Sequence, residues 1–224
     1  MRPWTLLGTA KVPGDGAALR LMQRGDEFVI MAGANPLMNS RMSGSEEELA
    51  TLSWSRIAGR TSAHILIGGL GMGFTLRAAL AAVPADVRVT VAEIVPEIVD
   101  WARSPLAPIF DGSLDDPRVT IDVADVVSVI GRAKARYDAI LLDVDNGPDG
   151  LTRTGNDRIY SMTGLARAKA ALRPGGILAI WSAAPDAHFT RRLKEARFAV
   201  DEVAVRARAG GKGGRHVIWF AQLR

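Results

Sequence analysis

The chain has no cysteine. Disulfides, thiolate nucleophiles and cysteine-based zinc sites are therefore excluded, and no metal is expected. Histidine is scarce, with only three residues (His64, His188 and His216). None sits at a strand end where a hydride-transfer partner would be needed, which argues against a nicotinamide-linked reductase. His64 enters a strand and reads as structural, and His216 opens the last strand and reads as a surface residue. No apolar run reaches the roughly 18 residues of a membrane span. The opening "MRPWTLLGTAKVPGDG" lacks a long apolar core and a small-residue cleavage site, so a cytoplasmic protein is expected. Repeats and long low-complexity tracts are also missing.

There is no acidic excess: 28 Lys and Arg face 24 Asp and Glu. The densest basic group lies late, at Arg191, Arg192, Lys194, Arg197, Arg206, Arg208, Lys212 and Arg215. No stacking aromatics are interleaved with it, so it reads as a solvated surface rather than a nucleic-acid site.

What remains is 224 residues of which 48% are hydrophobic, enough for one α/β domain with a small appendage. Residues 1–60 read as a β-rich segment followed by a helix. "ALRLMQRG" and "DEFVIMAG" form a hairpin turning at Gly25-Asp26. "SGSEEELATLSWSRI" starts a helix, with Ser43/Glu46 and Ser45/Glu48 spaced as capping boxes. From residue 61 to 224, apolar strands alternate with helices: "AHILIGG", "VRVTVAEI", "PRVTIDVAD", "YDAILLDV" and "ILAIWSA" are the strands. One intervening helix, "SMTGLARAKAALRPGG", is expected to stop at Pro-Gly-Gly. "FAVDEVAVRA" and "RHVIWFAQL" close the chain as a hairpin, with Gly210 to Gly214 at its tip. The pattern predicts a Rossmann-like doubly wound sheet, mostly parallel with an antiparallel last strand.

The stretch "HILIGGLGMGFTLRAAL" holds Gly69, Gly71 and Gly73 between a strand and a helix. Such a turn lets a ligand approach the backbone at a helix N-terminus; plain strand-to-helix turning is the other reading. Twenty residues past Gly73, Glu93 is the one acid in an apolar strand. A carboxylate there suits the paired hydroxyls of a ribose. Asp125 opens a helix after the third strand, either as its N-cap or as acceptor for an adenine amino group. Asp143 and Asp145 leave the fourth strand together. They suit an amine substrate, one of them taking the proton that an attacking amine loses. Asp-Asn-Gly-Pro also makes a turn, which accounts for 146–148 but not for Asp143. Asn156, Tyr160 and Ser161 fall where a lid over the acceptor would lie. Trp181 ends the fifth strand, in the core or beside the acceptor.

From about residue 63 to 182, these motifs together resemble the spermidine synthase family, aminopropyltransferases with the class I S-adenosylmethionine-dependent methyltransferase fold. The resemblance rests on "ILIGGLGMGFTLRAAL", "VTVAEIVPEIVDWAR", "DPRVTIDVAD", "YDAILLDVDNGP" and "IYSMTGLARAKAALRPGGILAIWS". It implies that Glu93, with Ile94 beside it, binds a ribose, that Asp125 lies by the adenine, and that the 69–73 turn lies by the sulfonium and its tail. Asp143 would face the acceptor amine. The family is commonly oligomeric, so a homodimer is expected.

Two departures matter. The family's Asp in the glycine turn, which holds the donor's terminal ammonium, is Met72 here. The upstream Tyr-Gln and Tyr-His pairs that line the polyamine channel are absent, and the region reads "NPLMNSRMSGSEEEL". The donor is therefore expected to be S-adenosylmethionine or its decarboxylated form, and the acceptor a small amine. Loss of the acid at Met72 tilts the expectation toward methyl transfer. The resemblance as a whole points to a true polyamine aminopropyltransferase, and a non-catalytic nucleoside-binding protein is the reading from another class. Nucleic acid is not expected as a substrate, because Asp149 rather than an aromatic follows "DNGP".

Overall fold

The structure is a computed structural model that describes residues 2–14, 18–144, 157–208 and 212–223. The first of its two sheets is antiparallel, in the order β1 (Thr5–Lys11), β2 (Ala18–Arg24), β3 (Glu27–Ala32), β4 (Asn35–Asn39). The central pair forms as the sequence predicts: Arg24 pairs with Glu27 across Gly25-Asp26. The two outer strands carry no readable signal. In β1, Leu6 and Leu7 are exposed and only Ala10 is buried, and β4 carries a proline. Proline lacks the N–H that an interior strand needs, but an edge strand tolerates it.

The second sheet has the order β10-β11-β9-β8-β5-β6-β7. Its parallel strands are β5 (His64–Gly68), β6 (Arg88–Glu93), β7 (Val119–Val123), β8 (Tyr137–Leu142) and β9 (Leu172–Ser182). The last strand, β11 (Lys212–Gln222), runs antiparallel to both β9 and β10 (Ala199–Arg208). Every residue of β5 and β8 is buried, because helices cover both faces. On one face α1 (Gly44–Ile57), α2 (Phe74–Ala82) and α3 (Pro96–Arg103) share a core with Ile65 and Ile67. On the other, α5 (Val126–Gly131), α7 (Met162–Ala171) and α8 (Ala187–Glu195) pack on Leu66 and Ile140. Two one-turn helices, α4 (Ala107–Phe110) and α6 (Asp157–Tyr160), and a 3-10 turn at Ser113–Asp115 are the remaining helical segments among the described residues. Helix α1 lies against α2, β8, β9 and β10, so it joins the large sheet rather than the small one.

Two local expectations change. Helix α7 stops at Ala171, and the Pro-Gly-Gly stretch enters β9 instead of ending the helix. A register irregularity between Tyr137 and Ala139 accommodates it. This places Arg173 2.8 Å from the buried carboxylate of Asp138, which also accepts from Arg60 at 2.6 Å and from the His64 backbone N–H at 2.8 Å. Neither capping box forms at the start of α1. Ser43 makes no side-chain cap, and Glu46 instead accepts a 2.7 Å hydrogen bond from the Ser45 hydroxyl.

Candidate functional site

The chain runs outward from β5 to β6 and β7, then crosses back to β8, so β5 and β8 flank the point where the strand order reverses. Ligands in open α/β sheets bind beyond the strand ends at such a point. Here the strand ends are tied together: Asp143 N donates to Gly68 O at 2.9 Å, joining the end of β8 to β5, and Gly69 N donates to Ala92 O of β6 at 2.9 Å.

All three glycines of the turn have positive φ, at 91° for Gly69, 50° for Gly71 and 78° for Gly73. A Cβ on Gly69 would lie 2.4 Å from the Asp143 carbonyl oxygen, and one on Gly71 would lie 2.7 Å from Met38 Sδ. A Cβ on Gly73 would lie 2.4 Å from the Phe110 ring. The close approach that the sequence hinted at is thus made first by the protein itself. Gly69 and Gly71 border the cavity described next; Gly73 does not, and serves as N-cap of α2.

The cavity is about 110 Å³. Gly69, Gly71, Glu93, Ile94, Asp125 and Asp143 form its floor. Its roof comes from the small sheet: Val12, Leu19, Ile30, Ala32, Leu37 and Met38. Sequence reading missed this roof entirely, since nothing in an apolar hairpin tells which surface it will cover. The volume falls below the roughly 300 Å³ at which small-molecule pockets begin. Met38 is the most adaptable side chain of the roof.

Glu93 is 5% exposed, and both its oxygens are engaged: Leu70 N donates to Oε2 at 2.8 Å and Val95 N to Oε1 at 2.9 Å. Burial raises its pKa, against the pull of the backbone amides of Leu70, Val95, Ile94 and Gly71. A carboxylate has about four acceptor positions, and the Leu70 and Val95 amides fill two of them at hydrogen-bond distance. Asp125 is the N-cap of α5, one of its two expected roles. Its Oδ1 caps α5 by accepting from Val127 N at 2.8 Å, and the residue also lines the cavity. Met72, in contrast, is 2% exposed in the core and does not line the cavity. Its lack of charge therefore gives the tilt toward methyl transfer no support.

Asp143 is half-buried where the cavity meets α1 and α2. The Thr75 hydroxyl donates to its Oδ2 at 2.7 Å. Lost hydration pushes its pKa up to about 6, and the Thr75 bond opposes the rise. Glu46 is the second acid here. Burial, then the Asp143 charge, pushes it up to about 7. Behind Glu46, the Ser45 hydroxyl also meets His216 Nδ1 at 2.9 Å. Serine has one hydroxyl proton, so when it points at Glu46 the His216 nitrogen is the donor. His216 is half-buried rather than a free surface residue, and its ring stacks edge-on against Trp181 at 4.8 Å. Trp181 packs in the core, with an indole N–H that has no partner among the described residues.

Of the three residues read as a lid, two are described, and the Tyr160 hydroxyl donates to the carbonyl of Val144, a cavity-lining residue, at 3.4 Å. Tyr160 is 2% exposed and stacks on Phe189, and the Ser161 hydroxyl caps α7 by accepting from Gly164 N at 3.0 Å. Asp145 and Asn156 lie outside the described residues, as does part of the Gly210–Gly214 tip. Among the described residues no cluster of His, Asp and Glu fit to hold a metal occurs, and no helix is long and apolar enough to cross a membrane.

The fold and this cavity can be set beside known proteins. A crystal structure of spermidine synthase from Thermotoga maritima superimposes with a TM-score of 0.75, covering 97% of this chain and 72% of that one at 18% identity. A spermidine synthase crystallised with the transition-state analogue AdoDATO gives the same values. At that identity the likeness establishes the fold. Among curated proteins, the polyamine aminopropyltransferase of Mycobacterium tuberculosis is 32% identical over 124 residues, 54% of this chain. Polyamine aminopropyltransferase 1 of Streptomyces coelicolor is 33% identical over 125 residues. These alignments span only 23% and 22% of the two relatives. The spermine/spermidine synthase domain model matches residues 48–197, from inside α1 through α8, and so takes in Glu93, Asp125 and Asp143. On that match, which covers well over half of its length, the chain belongs to the spermine/spermidine synthase family.

Proposed function

We propose that the chain transfers an aminopropyl group from decarboxylated S-adenosylmethionine to a small amine of the polyamine class. Residues 61–224 hold the donor, the small sheet covers the cavity from residues 12–38, and α1 brings Glu46 beside Asp143. The observation that carries this reading is the charge of the cavity. Its ionisable lining groups among the described residues are Glu93, Asp125 and Asp143, all acids, with no cation among them. The decarboxylated donor brings a sulfonium and an ammonium. S-adenosylmethionine adds a carboxylate, and at about 4 Å from a like charge, with an effective dielectric near 20, this costs of order 4 kcal/mol before screening. An acidic cavity thus favours the donor that lacks it.

In this reading, Glu93 accepts from the ribose hydroxyls, and Asp125 accepts from the adenine amino group with the oxygen not used in capping. The amine nitrogen attacks the aminopropyl carbon next to sulfur. The C–S bond breaks, sulfur keeps the electron pair as a thioether, and the amine proton passes to Asp143. A base whose pKa lies near the working pH is effective in that step. Glu46 adds a second negative charge for the incoming ammonium.

Calorimetry with the two donors tests this, together with chromatographic detection of methylthioadenosine when a diamine is added. The expected result is at least tenfold tighter binding of the decarboxylated donor and amine-dependent release of the thioether. Tighter binding of S-adenosylmethionine, or no release with any diamine or polyamine, overturns it.

A further inference from the structure

At the opposite end of the parallel strands from the cavity lies a second pocket of about 360 Å³. That volume is within the range of small-molecule sites. Its floor is His64 at the start of β5, Thr90 in β6 and Tyr137 at the start of β8. Its rim is basic: Arg88, Arg118, Arg132 and Arg136, with Asp122 as the only acid.

Two of these arginines are already neutralised. Arg118 grips Asp116 through Nε at 2.9 Å and Nη2 at 2.7 Å, and Arg132 pairs with Asp122. Arg88 and Arg136 have no carboxylate partner among the described residues; Arg136 lies 5.5 Å from the Tyr137 ring centre. Exposed arginines alone would mean little. The buried floor beneath them makes the difference. Tyr137 lies on that floor and is 1% exposed as a residue. Burial raises the pKa of its hydroxyl, Arg136 and Arg132 oppose the rise and Asp122 adds to it, and all three of these charged residues line the pocket. His64 is held neutral: burial first, then Arg136, Arg88 and Arg173, push its pKa down to about 4, and its Nε2 meets the Thr90 hydroxyl at 2.9 Å. The pocket therefore sets two guanidinium groups, without a carboxylate partner among the described residues, over a floor that carries the Tyr137 side chain.

We propose that this pocket binds a small phosphate-bearing anion, with Arg88 and Arg136 as its charge partners and the Tyr137 hydroxyl as the donor from its floor. A guanidinium fork matches phosphate oxygens two at a time. A tetrahedral anion can also face two rim cations and a floor donor from separate directions, which a planar carboxylate does less well. The site is distinct from the donor cavity: the five residues of β5 separate them, roughly 16 Å at about 3.3 Å per residue. It stands independently of the aminopropyl reading.

The test is calorimetry at low ionic strength with inorganic phosphate, pyrophosphate and AMP as separate probes, each against sodium chloride of matched ionic strength. At least one phosphate probe binds, and the tightest of the three identifies the source. Arg88→Ser/Arg136→Ser weakens it at least tenfold, Tyr137→Phe weakens it several-fold without changing the circular dichroism, and methylthioadenosine does not compete. The proposal is overturned if no probe binds above the chloride control, if the double variant binds as well as the parent, or if methylthioadenosine displaces the probe.

Discussion

The hydroxyl of Thr75 donates to the carboxylate of Asp143 at 2.7 Å, fastening the first turn of α2 to the end of β8. One hydrogen bond thus links the helix that follows the glycine turn to an acid that lines the cavity. It also lowers the pKa of an acid that lost hydration has raised to about 6. Removing the donor should let that pKa climb. Thr75→Val is expected to move the acidic limb of the pH–rate profile to higher pH while leaving donor affinity within a few-fold. Asp143→Asn is expected to lower turnover roughly 10²–10⁴-fold, the usual contribution of a positioned proton acceptor. The pH dependence of kcat checks both, and an unmoved limb in Thr75→Val would falsify the assignment of Asp143 as that acceptor.

Glu93 holds the backbone of two loops as well as facing the cavity, so its replacement has two readouts. Glu93→Gln keeps only one acceptor oxygen, and either Leu70 N or Val95 N loses its partner. An unmade buried hydrogen bond costs about 1–3 kcal/mol. The variant should melt lower and bind methylthioadenosine about 10- to 100-fold more weakly. Weakened melting with unchanged affinity would leave Glu93 a loop brace and nothing more.

Glu46 makes a prediction about pH in which the sign matters. Its pKa is 4.5 when free and is pushed up to about 7 in the fold. Between those values the folded chain binds more protons than the unfolded chain, so this group's contribution to stability falls as pH rises. His64 acts the other way. Its pKa falls from 6.5 to about 4, so its contribution is lost as pH drops through that window. The two overlap below pH 6.5, and only a comparison with a variant isolates Glu46. Glu46→Gln should gain melting temperature relative to the parent at pH 7.5 and lose that advantage by pH 5. Parallel melting curves across pH would remove Glu46 from the titrating pair.

The sheet was largely legible because both of its faces are covered. Continuous apolar runs such as 137–142 leave little choice of element, and Gly69, Glu93, Asp125 and Asp143 all fall at strand ends that the topology brings together. What stayed hidden depends on long-range packing. The helix face that presents Glu46 to Asp143 is set by how α1 lies on β8 and β9, which its own Ser and Glu spacing does not encode; that spacing suggested only a cap. His216 meets Ser45 from 171 positions away. Met72 occupies a position where the resemblance expects a tail-binding acid, yet its side chain faces the core, and only the turn's actual φ values decide that direction.

The glycine turn allows backbone strain and steric crowding to be separated. Gly73 and Gly112 have nearly the same φ, at 78° and 75°. A Cβ on Gly73 meets the Phe110 ring, whereas one on Gly112 meets nothing within 4 Å. Left-handed backbone costs a side chain roughly 1–2 kcal/mol, and overpacking adds about 1–3 kcal/mol. In a chain of this size each kcal/mol corresponds to about 2–4 °C of melting temperature. Gly112→Ala should therefore lower the midpoint by a few degrees and Gly73→Ala by roughly 5–15 °C. Differential scanning calorimetry of the two variants decides it. Equal losses would mean that Phe110 yields freely, and the fit of α2 against α4 would then have no part in holding the turn.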